Sequence, residues 1–315
     1  MRLDNLRVVF MGTPLFAKRS LEKLIDNCNV VLVVCQADKK KDRKGNTLYL
    51  ETKQLALENN IPVFQPECLK DDYQAIIDAK PDIIVTCAYG QFIPDVILQL
   101  PKYGCINVHG SLLPKLRGGA PIHWAIINGE DITGVTIMDM VLEMDAGDII
   151  SQRSIEIGEN MILDELYDKM SFLGADLLIE TLPSIIDGTA SRVKQDASKV
   201  TFGFNVLKKD TSIDFNKSGS EIRNLVRGLN SVPGAYCFLE NKRLKIYEVI
   251  VLEKYKGSNY GKIVRIDKDG IVCTCGDSLL KIVDLAVEGK KRCRASDYIN
   301  GIDKNKILGK VFVSE

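Results

Sequence analysis

At 315 residues the chain has room for two domains, and its 45% hydrophobic and 27% charged composition is that of a folded, soluble protein. No apolar run approaches the ~20 residues that a membrane span needs. The 42 basic and 42 acidic residues cancel, yet the segment from Leu207 onward carries 21 Lys and Arg against 14 Asp and Glu, leaving it at +7 and the rest at −7. A basic third of this kind suits a polyanion such as nucleic acid, although a solvated lysine-rich surface has the same composition.

The opening MRLDNLRVVF runs directly into a strand, without the apolar region of a signal peptide, so a cytoplasmic protein is expected. LRVVFMG reads as a buried strand ending in a glycine turn, and Pro14 opens a helix over PLFAKRSLEKLIDN. VVLVVCQ, IPVFQP, DIIVTCAYG and GCINVHGS read as further strands, with helices over LETKQLALENN and DDYQAIIDAKP between them. Runs of Val and Ile without polar alternation imply strands covered on both faces, hence a mostly parallel, Rossmann-like α/β sheet. TGVTIMDMVLEMDAGDII and IISQRSIEI read as antiparallel additions at its edge.

A long helix over LDELYDKMSFLGADLLIETLPSIID closes this first domain, placed at 1–186. The polar stretch that follows, 187–205, reads as a linker. Residues 206–315 hold one helix, SGSEIRNLVRGLN, with Ser218 or Ser220 as its cap, and then short strands with turn signals. That pattern fits a small barrel or sandwich, and a smaller, OB-like β-barrel is expected.

Nine scattered cysteines, several inside apolar runs, read as reduced and buried, and no metal-ligand spacing is present. The first strand-to-helix turn, FMGTPLF, has one glycine where a dinucleotide fingerprint needs three and lacks a P-loop lysine, which argues against NAD and ATP.

The chemistry concentrates at CINVHGSLLPKLRGGAP, residues 105–121. Asn107 and His109 are two apart on a strand, so their side chains share a face. An amide and an imidazole side by side can both donate to an oxygen that becomes negative in a transition state. Ser111, Leu112, Leu113 and Pro114 offer an apolar slot, and Lys115 and Arg117 are candidate anion contacts. Asp145, in EMDAGD, is the candidate carboxylate to orient His109, with Asp139 and Asp148 left open by spacing alone. Such a set lacks a nucleophilic Ser or Cys and suits direct acyl transfer to an amine. His123, beside the only tryptophan in APIHWAIING, reads as structural.

NVHGSLLPKLRGGAP, followed by GVTIM and MDAGD, resembles the folate-dependent formyltransferases, and the likeness continues through FMGTPLFA, IPVFQP, VTCAYGQFIP, RLKIYE, CGDSLLKI and EGKKRCRASDYING. The C-terminal matches point to the two-domain members that act on methionyl-initiator tRNA. The resemblance implies 10-formyltetrahydrofolate as formyl donor, no metal, and a cytoplasmic monomer. Asn107 and His109 would then polarise the formyl carbonyl, and Asp145 would pair with His109 and relay the proton lost by the amine. Ser111, Leu112, Leu113 and Pro114 would hold the folate, with Ala88, Tyr89 and Gly90 bordering the pterin. Residues 38–46 match a basic loop with which the family grips the acceptor stem, and Arg43 falls at its key arginine, while Lys40, Lys41 and Asp42 depart from the small residues and proline usual there. Lys40, Lys41, Lys208, Lys209, Lys290 and Lys291 are further candidate tRNA contacts. The chain departs from the family where Tyr-Ala-x-Lys becomes Phe202, Gly203, Phe204 and Asn205, and where Asn-Pro-Trp-Pro becomes Asn230, Ser231, Val232 and Pro233.

Overall fold

The computed structural model describes residues 3–38 and 50–315; Lys40, Lys41 and Arg43 lie outside the described residues. The chain divides into two compact units. One comprises Met1–Pro121, Ile132–Glu156 and Tyr167–Phe204, the other Ile122–Asp131, Ile157–Leu166 and Asn205–Glu315. The stretch read as a linker therefore groups, up to Phe204, with the first unit.

In chain order the first part of the molecule runs β1 (Leu3–Gly12), α1 (Leu15–Asn27), β2 (Cys28–Val34), α2 (Glu51–Glu58), β3 (Val63–Phe64), α3 (Gln74–Asp78) and β4 (Ile83–Cys87). It continues with α4 (Asp95–Leu98), β5 (Cys105–His109), α5 (Pro121–Ile127), β6 (Ile132–Asp139), β7 (Ile149–Glu156) and α6 (Leu163–Ile186). The sheet order is β3-β2-β1-β4-β5-β6-β7. The first five strands pair in parallel, while β6 and β7 are antiparallel additions at one edge, as the sequence predicts. Val8 to Met11 and Ile83 to Val85 are fully buried, so these strands are apolar without alternation because both faces are covered.

Two features of this sheet position the site. The order reverses between β1 and β4, which opens a crevice at the carboxyl ends of the neighbouring strands. Helix α6 lies close against β5 and β6, since a Cβ at Gly174 would stand 3.0 Å from Val108 and 3.3 Å from Val135. Any side chain there would push the helix away from the strand that carries Asn107 and His109.

In the second unit, Ser218 caps α7 (Gly219–Gly228): its Oγ accepts from Glu221 N at 3.2 Å, and Glu221 Oε2 accepts from Ser218 N at 3.0 Å. Strands β8 (Ala235–Leu239), β9 (Lys242–Lys254), β10 (Ile263–Ile266), β11 (Ile271–Thr274) and β12 (Ser278–Val287) form a sheet ordered β10-β11-β12-β9-β8. β13 (Cys293–Arg294) pairs with β12, and α8 (Ala295–Asn300) follows. The two ends of the sheet are joined by the final segment. Val313 exchanges backbone hydrogen bonds with Phe238 of β8, and Lys310 O accepts from Ile263 of β10 at 2.8 Å. This closure makes the barrel and leaves neither edge open. Its core includes Phe215 stacked on Phe312, with Cys237, Cys273 and Cys275 fully buried.

Candidate active site

Asn107 and His109 project from the end of β5. Thr86, the register partner of Asn107 on β4, donates its hydroxyl to Asn107 Oδ1 at 2.8 Å. With its carbonyl engaged, the Asn107 amide presents its N–H group as the donor for an incoming oxygen. His109 is only 5% exposed, and both of its ring nitrogens face oxygen. Nε2 lies 3.0 Å from Leu116 O, and Nδ1 lies 3.8 Å from Asp145 Oδ1. A carbonyl oxygen can only accept, so Nε2 holds a proton and donates to it. Nδ1 is then the nitrogen that faces Asp145.

The loop after β5 is pinned from several directions. Thr136, opposite His109 on β6, donates to Ser111 O at 2.6 Å and accepts from Leu113 N at 3.1 Å. Gln152 of β7 donates to Leu113 O at 2.9 Å. Ser111 is buried with its hydroxyl donated to Lys115 O at 2.6 Å, and Leu113 is buried too, which leaves Leu112 and Pro114 as the partly exposed members of the slot. Leu116 sits at φ +58°, a left-handed conformation that costs a non-glycine residue on the order of 1 kcal/mol or more. That turn brings its carbonyl to His109.

Arg117 corrects a sequence expectation. Its buried guanidinium donates to Gln195 Oε1 and Glu143 Oε1, each at 3.0 Å, so it serves as a strut inside the loop rather than as an anion contact.

Asp145 is the carboxylate that reaches His109. Its backbone is left-handed at φ +50°, its Oδ2 accepts from Gly118 N at 2.7 Å, and its carbonyl accepts from Gln195 Nε2 at 2.7 Å. The same Gln195 amide donates to Gly147 O at 2.8 Å, closing the turn. Asp139 instead accepts from Arg192 at 2.7 Å, and Asp148 immediately precedes β7. Of the three, Asp145 is the one with an ion-pair contact to His109.

At the end of β4, Ala88 and Gly90 are exposed and left-handed, at φ +48° and +82°. Between them Tyr89 turns inward, and burial raises its phenol pKa. Gln36 donates to Tyr89 O at 2.9 Å and holds this turn. The turn follows β4 directly, two residues beyond Thr86, the register partner of Asn107.

Comparison with known proteins decides the family. Residues 6–182 match the formyl transferase domain, and residues 205–303 match the formyl transferase C-terminal domain. The chain belongs to the formyl transferase family. A methionyl-tRNA formyltransferase of Malacoplasma penetrans is 42% identical over 304 residues, covering 96% of each chain. One of Staphylococcus aureus is 44% identical over 310 residues, covering 98% of this chain and 99% of its own. Among solved structures, an N-formyltransferase of Helicobacter canadensis with folinic acid and dTDP-3-aminofucose superposes with a TM-score of 0.66 at 20% identity, over 88% of this chain and 99% of its own. HypX of Aquifex aeolicus with tetrahydrofolic acid superposes at 0.62 and 16% identity, over 94% of this chain and 47% of its own.

Elsewhere in this formyl transferase, no cluster of metal-ligating side chains occurs among the described residues, and no helix among them is long and apolar enough to cross a membrane. Burial lowers the His123 pKa, as suits a structural histidine. Lys209, Lys290 and Lys291 are exposed, whereas Lys208 is in an ion pair with Glu315 at 2.5 Å. The neighbouring Arg292 donates to both oxygens of buried Asp284, at 2.9 and 3.1 Å, and Arg294 pairs with Glu248 at 2.5 Å. Sequence reasoning did not single out Thr86, Thr136, Gln152 or Gln195. A threonine inside an otherwise apolar strand is a readable signal for Thr86 and Thr136. Gln195 has no local signal, because its partners are 48 to 78 residues away.

Proposed function

We propose that this formyl transferase moves the formyl group of 10-formyltetrahydrofolate to the α-amino group of methionyl-initiator tRNA, in the cytoplasm where translation begins. The arrangement that carries the mechanism is His109 lying between Leu116 O and Asp145, on the same strand face as Asn107. The hydroxyls of Thr86, Ser111 and Thr136 donate to Asn107 Oδ1, Lys115 O and Ser111 O, so direct attack by the amine is the fitting chemistry.

The folate, as co-substrate, supplies the activated formyl group. Ala88, Tyr89, Gly90 and the Ser111–Pro114 loop would hold it. Asn107 donates its amide N–H to the formyl oxygen as negative charge grows there, with His109 beside it on the same strand face. The amine nitrogen forms a bond to the formyl carbon, and the bond from that carbon to the folate nitrogen breaks. The proton lost by the amine passes to the His109–Asp145 pair and is returned to the departing nitrogen, so protons and electron pairs balance. The full-length likeness to the two methionyl-tRNA formyltransferases supports the acceptor.

Single-turnover transfer from labelled donor is the direct test. Label is expected on charged initiator tRNA and absent from uncharged tRNA. Transfer to a nucleotide-linked amino sugar in preference would overturn the assigned acceptor, and the Helicobacter canadensis enzyme makes that the second acceptor to try.

A further inference from the structure

Residues 201–204 form an extended segment laced to the catalytic loop. Arg117 N donates to Thr201 O at 2.9 Å, Gly203 N donates to Arg117 O at 2.8 Å, and Ala120 N donates to Gly203 O at 2.8 Å. Arg117 and Phe202 thus pair as parallel strands. The approach is close, since a Cβ at Gly118, whose φ is +121°, would stand 2.9 Å from Gly203 O.

The residues flanking Arg117 are those that touch the chemical centre. Leu116 O holds His109, and Gly118 N holds Asp145. Residues 202–204 therefore lie one strand spacing from the loop and about two, on the order of 10 Å, from the His109–Asp145 pair.

At that distance the structure displays an arrangement the catalytic steps do not use. Phe202 and Phe204, two apart on the extended segment, are stacked with centroids 5.0 Å apart and planes 9° from parallel. They are 51% and 56% exposed. A pair of phenylalanines gains from burial, yet about half of each ring residue stays exposed on a segment whose backbone borders the catalytic loop. Flat exposed rings bind flat partners, and nucleobases stack on them whatever their sequence.

We propose that Phe202 and Phe204 are a stacking platform for the unpaired terminal nucleobase of the acceptor tRNA. This rests on the reading that the acceptor is a charged tRNA. In such a molecule the amino acid is esterified to the last ribose, so the reacting amine and the terminal base are separated only by an ester and a sugar. That span is comparable to the two strand spacings between the His109–Asp145 pair and the segment that carries the rings. With the base seated, the amine is presented to the Asp145 side, and an acceptor lacking a terminal base loses that positioning.

The test uses the full chain with Phe202→Leu and Phe204→Leu together, which keep apolar volume and remove the π faces. KM for charged initiator tRNA is expected to rise about 10- to 100-fold, with KM for the formyl donor unchanged and Tyr at both positions restoring the wild-type value. The wild-type protein supplies an independent readout. 2-Aminopurine placed at the 3′ end of uncharged tRNA should be quenched on binding, and the Leu variants should lose the quench. Unchanged KM for tRNA, an equal rise for both substrates, or no quench in the wild-type protein would each overturn the platform. Should the wild-type enzyme transfer no formyl group to charged tRNA, the proposed acceptor falls, while the quench with uncharged tRNA still reports on the rings.

Discussion

His109 is buried, with Nε2 hydrogen-bonded to Leu116 O and Nδ1 facing Asp145, while Lys290 and Lys291 stand exposed on the turn between β12 and β13. The first arrangement is built from backbone carbonyls, amides and short polar side chains that converge from β4, β5, β6, β7 and the 195–203 stretch. The second consists of long flexible side chains, some of which are already paired: Lys208 with Glu315, Arg292 with Asp284 and Arg294 with Glu248. These pairs leave the net +7 unchanged but remove Lys208, Arg292 and Arg294 from the unpaired cations, whereas the motif around His109 understates how many residues hold the site. Buried polar groups must find partners, so each is specified by its neighbours. Exposed charges are specified only weakly, and surface ion pairs contribute little stability.

The contrast can be broken most sharply at the chemical centre. His109→Ala or Asp145→Ala should each lower single-turnover formyl transfer by about 100- to 1,000-fold, as removal of an acid–base or charge-stabilising group does. Near-normal rates in either variant would sink the mechanism. Gln195→Ala comes next, since it frees both the Asp145 turn and the Arg117 strut. A loss of roughly tenfold in kcat with little change in KM is expected for misplacement of this kind, and equal kcat would show that the turn holds without it.

Smaller effects separate the basic residues from one another. If Lys290 and Lys291 meet phosphates, Ala at each should weaken tRNA binding and reduce the slope of log affinity against log salt by about one. Arg292→Ala should act on the fold instead, costing about 1–2 kcal/mol in urea unfolding, because buried Asp284 keeps only its longer contact with Arg294. An unchanged salt slope in the lysine variants would remove that turn from the interface.

The smallest effect concerns His123. Burial lowers its pKa below the usual 6.5. The unfolded chain thus binds a proton that the folded chain resists, so this contribution to stability is complete above pH 6.5 and is lost as pH falls from there toward the lowered folded value. His123→Gln should flatten the change in urea midpoint over that window, and an unaltered slope would show that other groups set it.

By itself the sequence determined the order of the elements, the parallel sheet with its antiparallel edge, the barrel strands and the strand that carries Asn107 and His109. These follow from the period of apolar residues and from turn chemistry, which act over a few neighbouring positions. It also marked Asp145, though only in company with Asp139 and Asp148. Spacing left the three open and the family resemblance favoured Asp145; the fold then gives two of them different partners, because a carboxylate's partner is whatever lies near it: His109 and Gly118 for Asp145, Arg192 for Asp139. The same reason hid Gln195 in a stretch that reads as linker, took Arg117 out of the anion contacts and set Phe202 and Phe204 beside the catalytic loop. Local pattern reports which side chains are present and which face they share; the contacts that give them a role join residues tens of positions apart and exist only once the chain has closed on itself.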